Sequence, residues 1–316
     1  MNILLTGASS FTGYWFIRQL AGRGHTVFAT FQGSKDSYSG LRKRRIDELP
    51  EGVVRVWNAP MLSTRLQNLV DEVGRWDLLC LHGACVTGYR NPDFDFVHAL
   101  KNNTEGLLGL LERMAACGMK RVIATGTVYE ANEGFGEEPL RAFSPYGLSK
   151  SLTWQVQQFC AQNLGLHLGK FVISIPFGPF EESRFTSYLM KTWHEGKVAE
   201  IRTPLYIRDH IHVSRLALHF ADFAENLKGV AGSSRCAPMG YVESRGAFAL
   251  RFAAEMRPRL GLDCGVVLGE QKEFSEPFMR VNTQMIDLPE GQWREAEAWD
   301  ELAANYRPED VSPNTP

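Results

Sequence analysis

Nowhere does the sequence hold an apolar run of about 18 residues, the least expected to span a bilayer, and the opening MNILLTG shows neither a basic leader nor a cleavage site. No membrane partner is expected, and the chain reads as a soluble, cytoplasmic protein. An excess of either charge is missing too: 34 basic and 36 acidic residues leave a formal charge of −2, so no global field draws the chain to nucleic acid. Cysteine is sparse and irregular. Cys80, Cys85, Cys117, Cys160, Cys236 and Cys264 form no C-x-x-C pair and no regular spacing, which argues against a disulfide framework or a zinc site and predicts reduced, mostly buried thiols. Internal repeats and low-complexity blocks are also lacking; only Gly33 to Asp47 and the tail after Tyr306 read as weakly structured.

What remains is a chain of 316 residues, 44% hydrophobic, long enough to bury a large core and to add a smaller lobe. Short β-rich runs at Asn2 to Leu5, Thr26 to Phe31, Val53 to Trp57, Leu78 to His82 and Arg121 to Ala124 alternate with helical patterns at Gly13 to Arg23 and Thr104 to Ala116. This alternation predicts right-handed βαβ crossovers and an α/β, Rossmann-type, doubly wound parallel sheet. From about Arg184 the pattern becomes irregular, with helical pieces near Phe185 to His194 and Ser244 to Leu260. We expect a dinucleotide-binding domain over 1–175, with 205–240 returning to it, and a smaller C-terminal α/β lobe for substrate over 176–204 and 241–316.

The first strand runs into Thr6-Gly7-Ala8-Ser9-Ser10-Phe11-Thr12-Gly13 and then a helix, the context of a phosphate-binding loop. Gly7 can turn without a Cβ penalty, Gly13 lets the helix pack closely, and the helix N-terminus faces the pyrophosphate. An ordinary strand-turn-helix with two glycines is the plainer alternative. The loop resembles the T-G-x-x-G-x-x-G fingerprint of the extended short-chain dehydrogenases/reductases, the NAD-dependent epimerase/dehydratase family that modifies nucleotide sugars, with Ser10 in place of the middle glycine.

The resemblance implies cofactor contacts from Gly7, Ser10, Phe11, Thr12 and Gly13. It extends to Asn58-Ala59, where the family commonly has Asp-Leu beside the adenine, to His82-Gly83-Ala84, similar to its H-x-A-A strand end, and to Asn103 with Gly106, similar to its N-x-x-G helix start. The family usually ends its second strand on an acid that bonds the ribose diol. Val27 to Gln32 has none, which favours NADP(H) and leaves NAD(H) open. Gln32, Ser34, Lys35 and the basic run Arg42 to Arg45 are candidate donors for a 2′-phosphate, although a basic run is commonly a solvated face.

Tyr146 and Lys150 stand four residues apart at the head of a helical run, on one face. That spacing alone is weak. The preceding Arg121 to Tyr129 resembles the family's apolar strand ending in S-S-x-x-V-Y-G, and counting back from Val128 places Thr125 at its Ser/Thr position. Hydride transfer at a carbinol needs a proton acceptor or donor at the oxygen. Tyr146 suits that role, Lys150 favours its phenolate and holds the nicotinamide ribose, and Thr125 holds the substrate oxygen. The plainer alternative is a packed tyrosine, a solvated lysine and a buried threonine.

The resemblance spans nearly the whole chain and implies a nucleotide-linked sugar as substrate. Pro176-Phe177-Gly178-Pro179 matches the family's N-V-Y-G-P turn, though Ile175 replaces the asparagine. Arg208-Asp209-His210-Ile211-His212-Val213 resembles R-D-F-I-H-V, whose arginine approaches the diphosphate; Arg280 and Arg184 are further candidates, and Thr87 and Thr127 complete the expected substrate contacts. His210 and His212 would share a strand face, but no third ligand suggests a metal.

Sugar 4,6-dehydratases typically carry Asp-Glu after the catalytic threonine, where this chain has Gly126-Thr127. Dehydration is therefore not expected. The missing acid after the second strand favours exchangeable NADPH, hence a 4-ketoreductase of an NDP-4-keto-6-deoxy sugar, with a C4 epimerase holding NAD as the alternative; the resemblance implies a step of polysaccharide biosynthesis. A nucleotide-sensing protein without catalysis is the reading from another class; the complete Thr125, Tyr146, Lys150 set argues against it. Family members commonly dimerise through the helix after Asn103 and the helix holding Tyr146, which implies a homodimer.

Overall fold

Leu78–Leu81 is buried at every position, as a strand covered on both faces requires, and Asn2–Leu5 and Thr26–Thr30 are buried at all but their first residues. A computed structural model describes residues 1–306. It divides into two compact units: Met1–Glu133, Glu138–Ile173 and Ala217–Ala237 in the first, and Gly134–Glu137, Ser174–Leu216 and the described chain from Pro238 in the second.

With strands and helices numbered along the chain, the first unit holds β1 (Asn2–Leu5), β2 (Thr26–Thr30), β3 (Val54–Val56), β4 (Leu78–Leu81), β5 (Arg121–Thr127), β7 (His167–Ile173) and β11 (Gly232–Cys236). All pair in parallel in the order β11-β7-β5-β4-β1-β2-β3. The order reverses between β1 and β4, the switch point at which doubly wound sheets bind ligands. Helices α1 (Phe11–Gly22), α2 (Gly40–Asp47), α3 (Thr64–Val73), α4 (Phe96–Thr104), α5 (Leu107–Ala116) and α6 (Pro145–Asn163) connect these strands, and Leu4, Leu79, Leu111, Val122 and Leu168 pack in one core cluster.

The second unit contains β6 (Phe135–Gly136), β8 (Ile175–Phe177), β10 (Ile207–His212), β12 (Tyr241–Ser244) and β14 (Met279–Val281) in a five-stranded mixed sheet, and β9 (Ala199–Ile201) with β13 (Val266–Leu268) in a parallel pair. Its helices are α7 (Phe185–His194), α9 (Arg245–Leu260) and α10 (Glu295–Asn305); α8 (Val213–Asn226) carries the chain back to the first unit. Phe177, Trp193, Phe248, Phe252 and Trp299 form its core.

Several local expectations change. Gly33 to Asp47 is not weakly structured: Lys35–Ser37 forms a 3₁₀ turn and α2 follows, with Lys43 paired to Asp47 and Arg44 to Glu48 one helical turn apart. The helix expected over Thr104 to Ala116 is broken at Gly106, whose φ of 78° no helix accommodates. Arg121 to Ala124 extends to Thr127, so Thr125 and Thr127 lie within β5. Ile175–Phe177 pairs with β10 as a strand before the Gly178-Pro179 turn. The tail beyond Tyr306 lies outside the described residues.

Candidate active site

Gly7 adopts φ +73°, and a Cβ there would fall 2.7 Å from the Gly83 backbone; at Gly13 a Cβ would fall 2.5 Å from the Gly7 carbonyl. Both positions accept only glycine, for reasons of close approach. Ser10, by contrast, has φ −75°, which any L-residue adopts, and its hydroxyl accepts from the Gly13 N–H at 3.1 Å as the cap of α1 and donates to the Gly7 carbonyl at 2.8 Å. The replacement of the motif's middle glycine thus keeps the loop's path. The loop and the α1 N-terminus fit a pyrophosphate: space is kept by absent side chains, and the helix presents its positive end. Phe11 and Thr12, in the first turn, are buried.

His82 joins this loop to β5. Its Nε2 lies 3.0 Å from Ser10 Oγ and 3.1 Å from Thr12 Oγ1, and its Nδ1 lies 3.0 Å from Thr125 Oγ1. Desolvation, with the Lys150 charge second, lowers its pKa to about 3, so the ring is neutral at physiological pH. Thr6, the first residue of the loop but not among the expected cofactor contacts, fixes this corner: its Oγ1 accepts from the N–H groups of His82 at 3.0 Å and Gly83 at 2.9 Å. Its signal was its place beside Gly7 at the end of β1. Ala84 is half-buried next to Gly83.

Ser144 caps α6, accepting from the Gly147 N–H at 3.0 Å, with Pro145 opening the helix. Tyr146 and Lys150 follow in successive turns. Lys150 Nζ donates to the Thr125 carbonyl at 2.7 Å and is buried; burial drives its pKa below the ordinary lysine range, opposed by the Glu130 charge and reinforced by Lys170. The half-buried Tyr146 ring lies edge-on to Tyr89 at 5.3 Å between centroids, and Phe94 and Tyr129 also present ring contacts. Thr125, Lys150 and His82 are therefore directly linked, and Tyr146 stands one helical turn before Lys150.

At the other end of the sheet, Gln32 is exposed, the Gly33 carbonyl accepts from the Asn58 N–H at 3.1 Å, and the Ala59 N–H donates to Phe31 at 2.8 Å. Asn58 is exposed with φ +52°. Ser34 and Lys35 are exposed, and Lys35 lines a cavity of about 330 Å³ with Ile46, Asp47, Arg55 and Trp57. Within the basic run, Lys43 and Arg44 pair along α2 and Arg45 is fully buried; much of the run serves its own helix.

Asn103 is buried, its Oδ1 accepting from the Cys85 N–H at 2.9 Å and its amide donating to Thr153 at 3.3 Å. It braces the segment after β4 from within. Thr87 is exposed on that segment, and Thr127 is buried in β5.

In the second unit Arg208 and Arg280 are neighbours in register on β10 and β14, both buried. Arg208 donates to the carbonyls of Ile207 at 2.9 Å and Phe278 at 3.2 Å and to Glu276 at 2.8 Å. Arg184 precedes α7, its N–H donating to Ser187 Oγ at 2.6 Å. His210 stacks on Phe248 at 3.8 Å, and His212 Nδ1 lies 2.7 Å from Ser214 Oγ. Their shared face is thus occupied by packing, and no group of three potential metal ligands occurs among the described residues. Nor is any described helix long and apolar enough to cross a membrane. All six cysteines are free, four of them buried.

Comparison with known proteins shows the family. The model of the NAD dependent epimerase/dehydratase family matches residues 3–230. The dTDP-6-deoxy-L-talose 4-dehydrogenase (NAD(+)) of Aggregatibacter actinomycetemcomitans is 23% identical over 229 residues, covering 70% of this chain and 79% of that protein. Among solved structures, the UDP-glucuronic acid 4-epimerase of Bacillus cereus, in complex with UDP-glucuronic acid and NAD, superposes with a TM-score of 0.73 at 18% identity, covering 97% of this chain and 99% of that one. The dTDP-glucose 4,6-dehydratase of Streptomyces venezuelae gives 0.69 at 17% identity, covering 97% of each chain. The chain belongs to the NAD dependent epimerase/dehydratase family and is an enzyme of the extended short-chain dehydrogenase/reductase type.

Proposed function

We propose that the chain is a nicotinamide-dependent 4-ketoreductase of a nucleotide-linked deoxysugar. The observation that carries the chemistry is the Lys150 ammonium seated 2.7 Å from the Thr125 carbonyl, one helical turn after Tyr146. A bound nicotinamide supplies the hydride. Tyr146 gives its phenolic proton to the carbonyl oxygen as the carbon becomes a carbinol. Thr125 holds that oxygen, and the Lys150 charge offsets the phenolate left behind. Gly7, Ser10 and Gly13 would hold the pyrophosphate, and Arg208, Arg280 and Arg184, with Thr87 and Thr127, the sugar nucleotide.

Reduction rather than epimerisation is supported by the exposed Gln32 where an acid would hold the ribose, a feature of exchangeable NADP(H), with the exposed Lys35 the next basic residue along the chain. Similarity to a protein named as a sugar-nucleotide 4-dehydrogenase supports the same reaction, although that protein's name specifies NAD(+). Gly126-Thr127 supplies no acid for dehydration. We also propose a homodimer: Val97, Leu108, Leu148 and Phe159 on α4, α5 and α6 are exposed apolar side chains. Purified protein should lack bound dinucleotide, oxidise NADPH stoichiometrically with a dTDP-4-keto-6-deoxy sugar and sediment as a dimer. Tightly held NAD with C4 inversion and no net oxidation would establish the epimerase instead, and a monomer would remove the dimer.

A further inference from the structure

Beyond Thr125, β5 is gripped by charges that the reaction above does not use. Glu130 is fully buried, at 0% exposure. Its Oε1 accepts from the Thr127 N–H at 2.8 Å, and its Oε2 lies 2.6 Å from Lys170 Nζ on β7. Lys170 also lies 2.7 Å from Glu133, whose second oxygen takes Arg235 at 2.8 Å. Gly126 makes the room: a Cβ there would fall 2.7 Å from Lys170 Cε and 2.9 Å from Glu130 Oε1. Residues 125–127 therefore carry the Lys150 ammonium on one carbonyl and the Glu130–Lys170 pair within the next two residues.

Taking ionised groups out of water costs more than their attraction returns unless they are well paired, and an apolar contact would hold the strand as well. Glu130 also stands after Val128-Tyr129, where the S-S-x-x-V-Y-G motif has glycine. We propose that Glu130 is a positioning residue for Lys150: clamped to the backbone of β5, its carboxylate is the buried counter-charge that keeps Lys150 an ammonium ion, and Lys170 limits how much of that charge Lys150 feels. The inference rests on Lys150 as the partner of Tyr146.

The charged and titratable groups around Lys150 are Glu130 after β5 and Lys170 on β7, which act on its charge, His82 after β4, which feels that charge, and Tyr146 one turn earlier on its own helix. Glu133 and Arg235 act behind Lys170. Glu130 favours the ammonium and Lys170 opposes it, while His82 is neutral near physiological pH. Removing either charge should move Lys150 in opposite directions.

The test is a ¹³Cε-lysine NMR titration, with Lys150→Arg identifying the resonance. In Glu130→Gln the Lys150 titration should fall by about one pH unit or more, and in Lys170→Met it should rise by a similar amount. The double variant should return towards the parent. The alkaline limb of the kcat profile for ketone reduction should shift with each. A merely structural role would lower the melting temperature in both single variants and leave Lys150 unmoved, which would overturn the inference. If Glu130→Gln fails to fold, the upward shift in Lys170→Met decides. Opposite NMR shifts without turnover of any 4-keto sugar would support the inference and remove the reductase reading; turnover with unmoved titrations would do the reverse.

Discussion

The two compact units bury cations to different ends. In the first, Lys150 is held by one carbonyl, and its neighbourhood of His82, Thr125 and Glu130 converges on the end of β5. In the second, Arg208 is as deeply buried, but its donors close on two carbonyls and on Glu276, and the Arg208 fork also lies 4.7 Å from the Tyr206 ring centroid. Burial of a cation does not by itself mark a ligand site. What matters is which partners can be exchanged: the Ile207 and Phe278 backbone carbonyls cannot leave, whereas Glu276, 43% exposed, can turn to solvent, as the proposed binding of a diphosphate requires.

The sharpest way to break the first side of this comparison is Gly7→Val. The positive φ and the 2.7 Å approach to Gly83 predict a loss of roughly 3 kcal/mol or more, with dinucleotide binding abolished. Thermal melting and a fluorescence titration measure both; parent-like binding would show that the loop is not a close cradle. On the second side, Arg208→Met removes the side-chain donor to the Ile207 and Phe278 carbonyls, the second of which keeps the Ile207 N–H, and takes the cation from Glu276; it should cost about 2 kcal/mol, as well as sugar-nucleotide affinity. Glu276→Gln should cost under about 1 kcal/mol and raise that affinity. Calorimetry on both variants decides, and weaker binding in Glu276→Gln would refute the exchange of partners.

Acid separates the units more gently. His82 in the first unit, and His210 and His212 in the second, are lowered by burial to about 3. Each such histidine contributes stability that is present above the ordinary value near 6.5 and lost as pH falls towards 3. Burial raises Glu181 to about 7 and Asp209 to about 6. These acids act in the opposite sense: their contribution is present below the ordinary carboxylate range and lost as pH rises through the raised values. Between about pH 6 and 4.5 the second unit's two histidines are offset by its two acids, while His82 is not offset and costs about 1.4 kcal/mol per pH unit. Hydrogen exchange should show β4 and β5 loosening before β10 in that window. Loosening of β10 first would contradict the assignment.

What the sequence made legible follows the range of the interactions. Gly7, Ser10 and Gly13 lie within one loop, and Tyr146 and Lys150 within two turns of one helix, so spacing and the family resemblance together singled them out. The α/β alternation likewise exposed the parallel sheet, because strands covered on both faces are apolar throughout. Glu130 was missed because its partner Lys170 lies 40 residues away; the departure from the motif's final glycine was its only local sign. Arg208 was named for its motif, but its pairing with Glu276 spans 68 residues. Polar composition disguised α2, whose ion pairs one turn apart support a helix that its few apolar residues do not advertise.

The central claim is that Tyr146 transfers the proton at a sugar carbinol, with Thr125 and Lys150 holding the reacting groups. Tyr146→Phe tests it most directly, measured by dinucleotide binding and by NADPH-dependent reduction of a dTDP-4-keto-6-deoxy sugar in the same preparation. Cofactor affinity should be unchanged and kcat reduced by roughly 10²–10⁴-fold; parent-like turnover would contradict proton transfer by Tyr146.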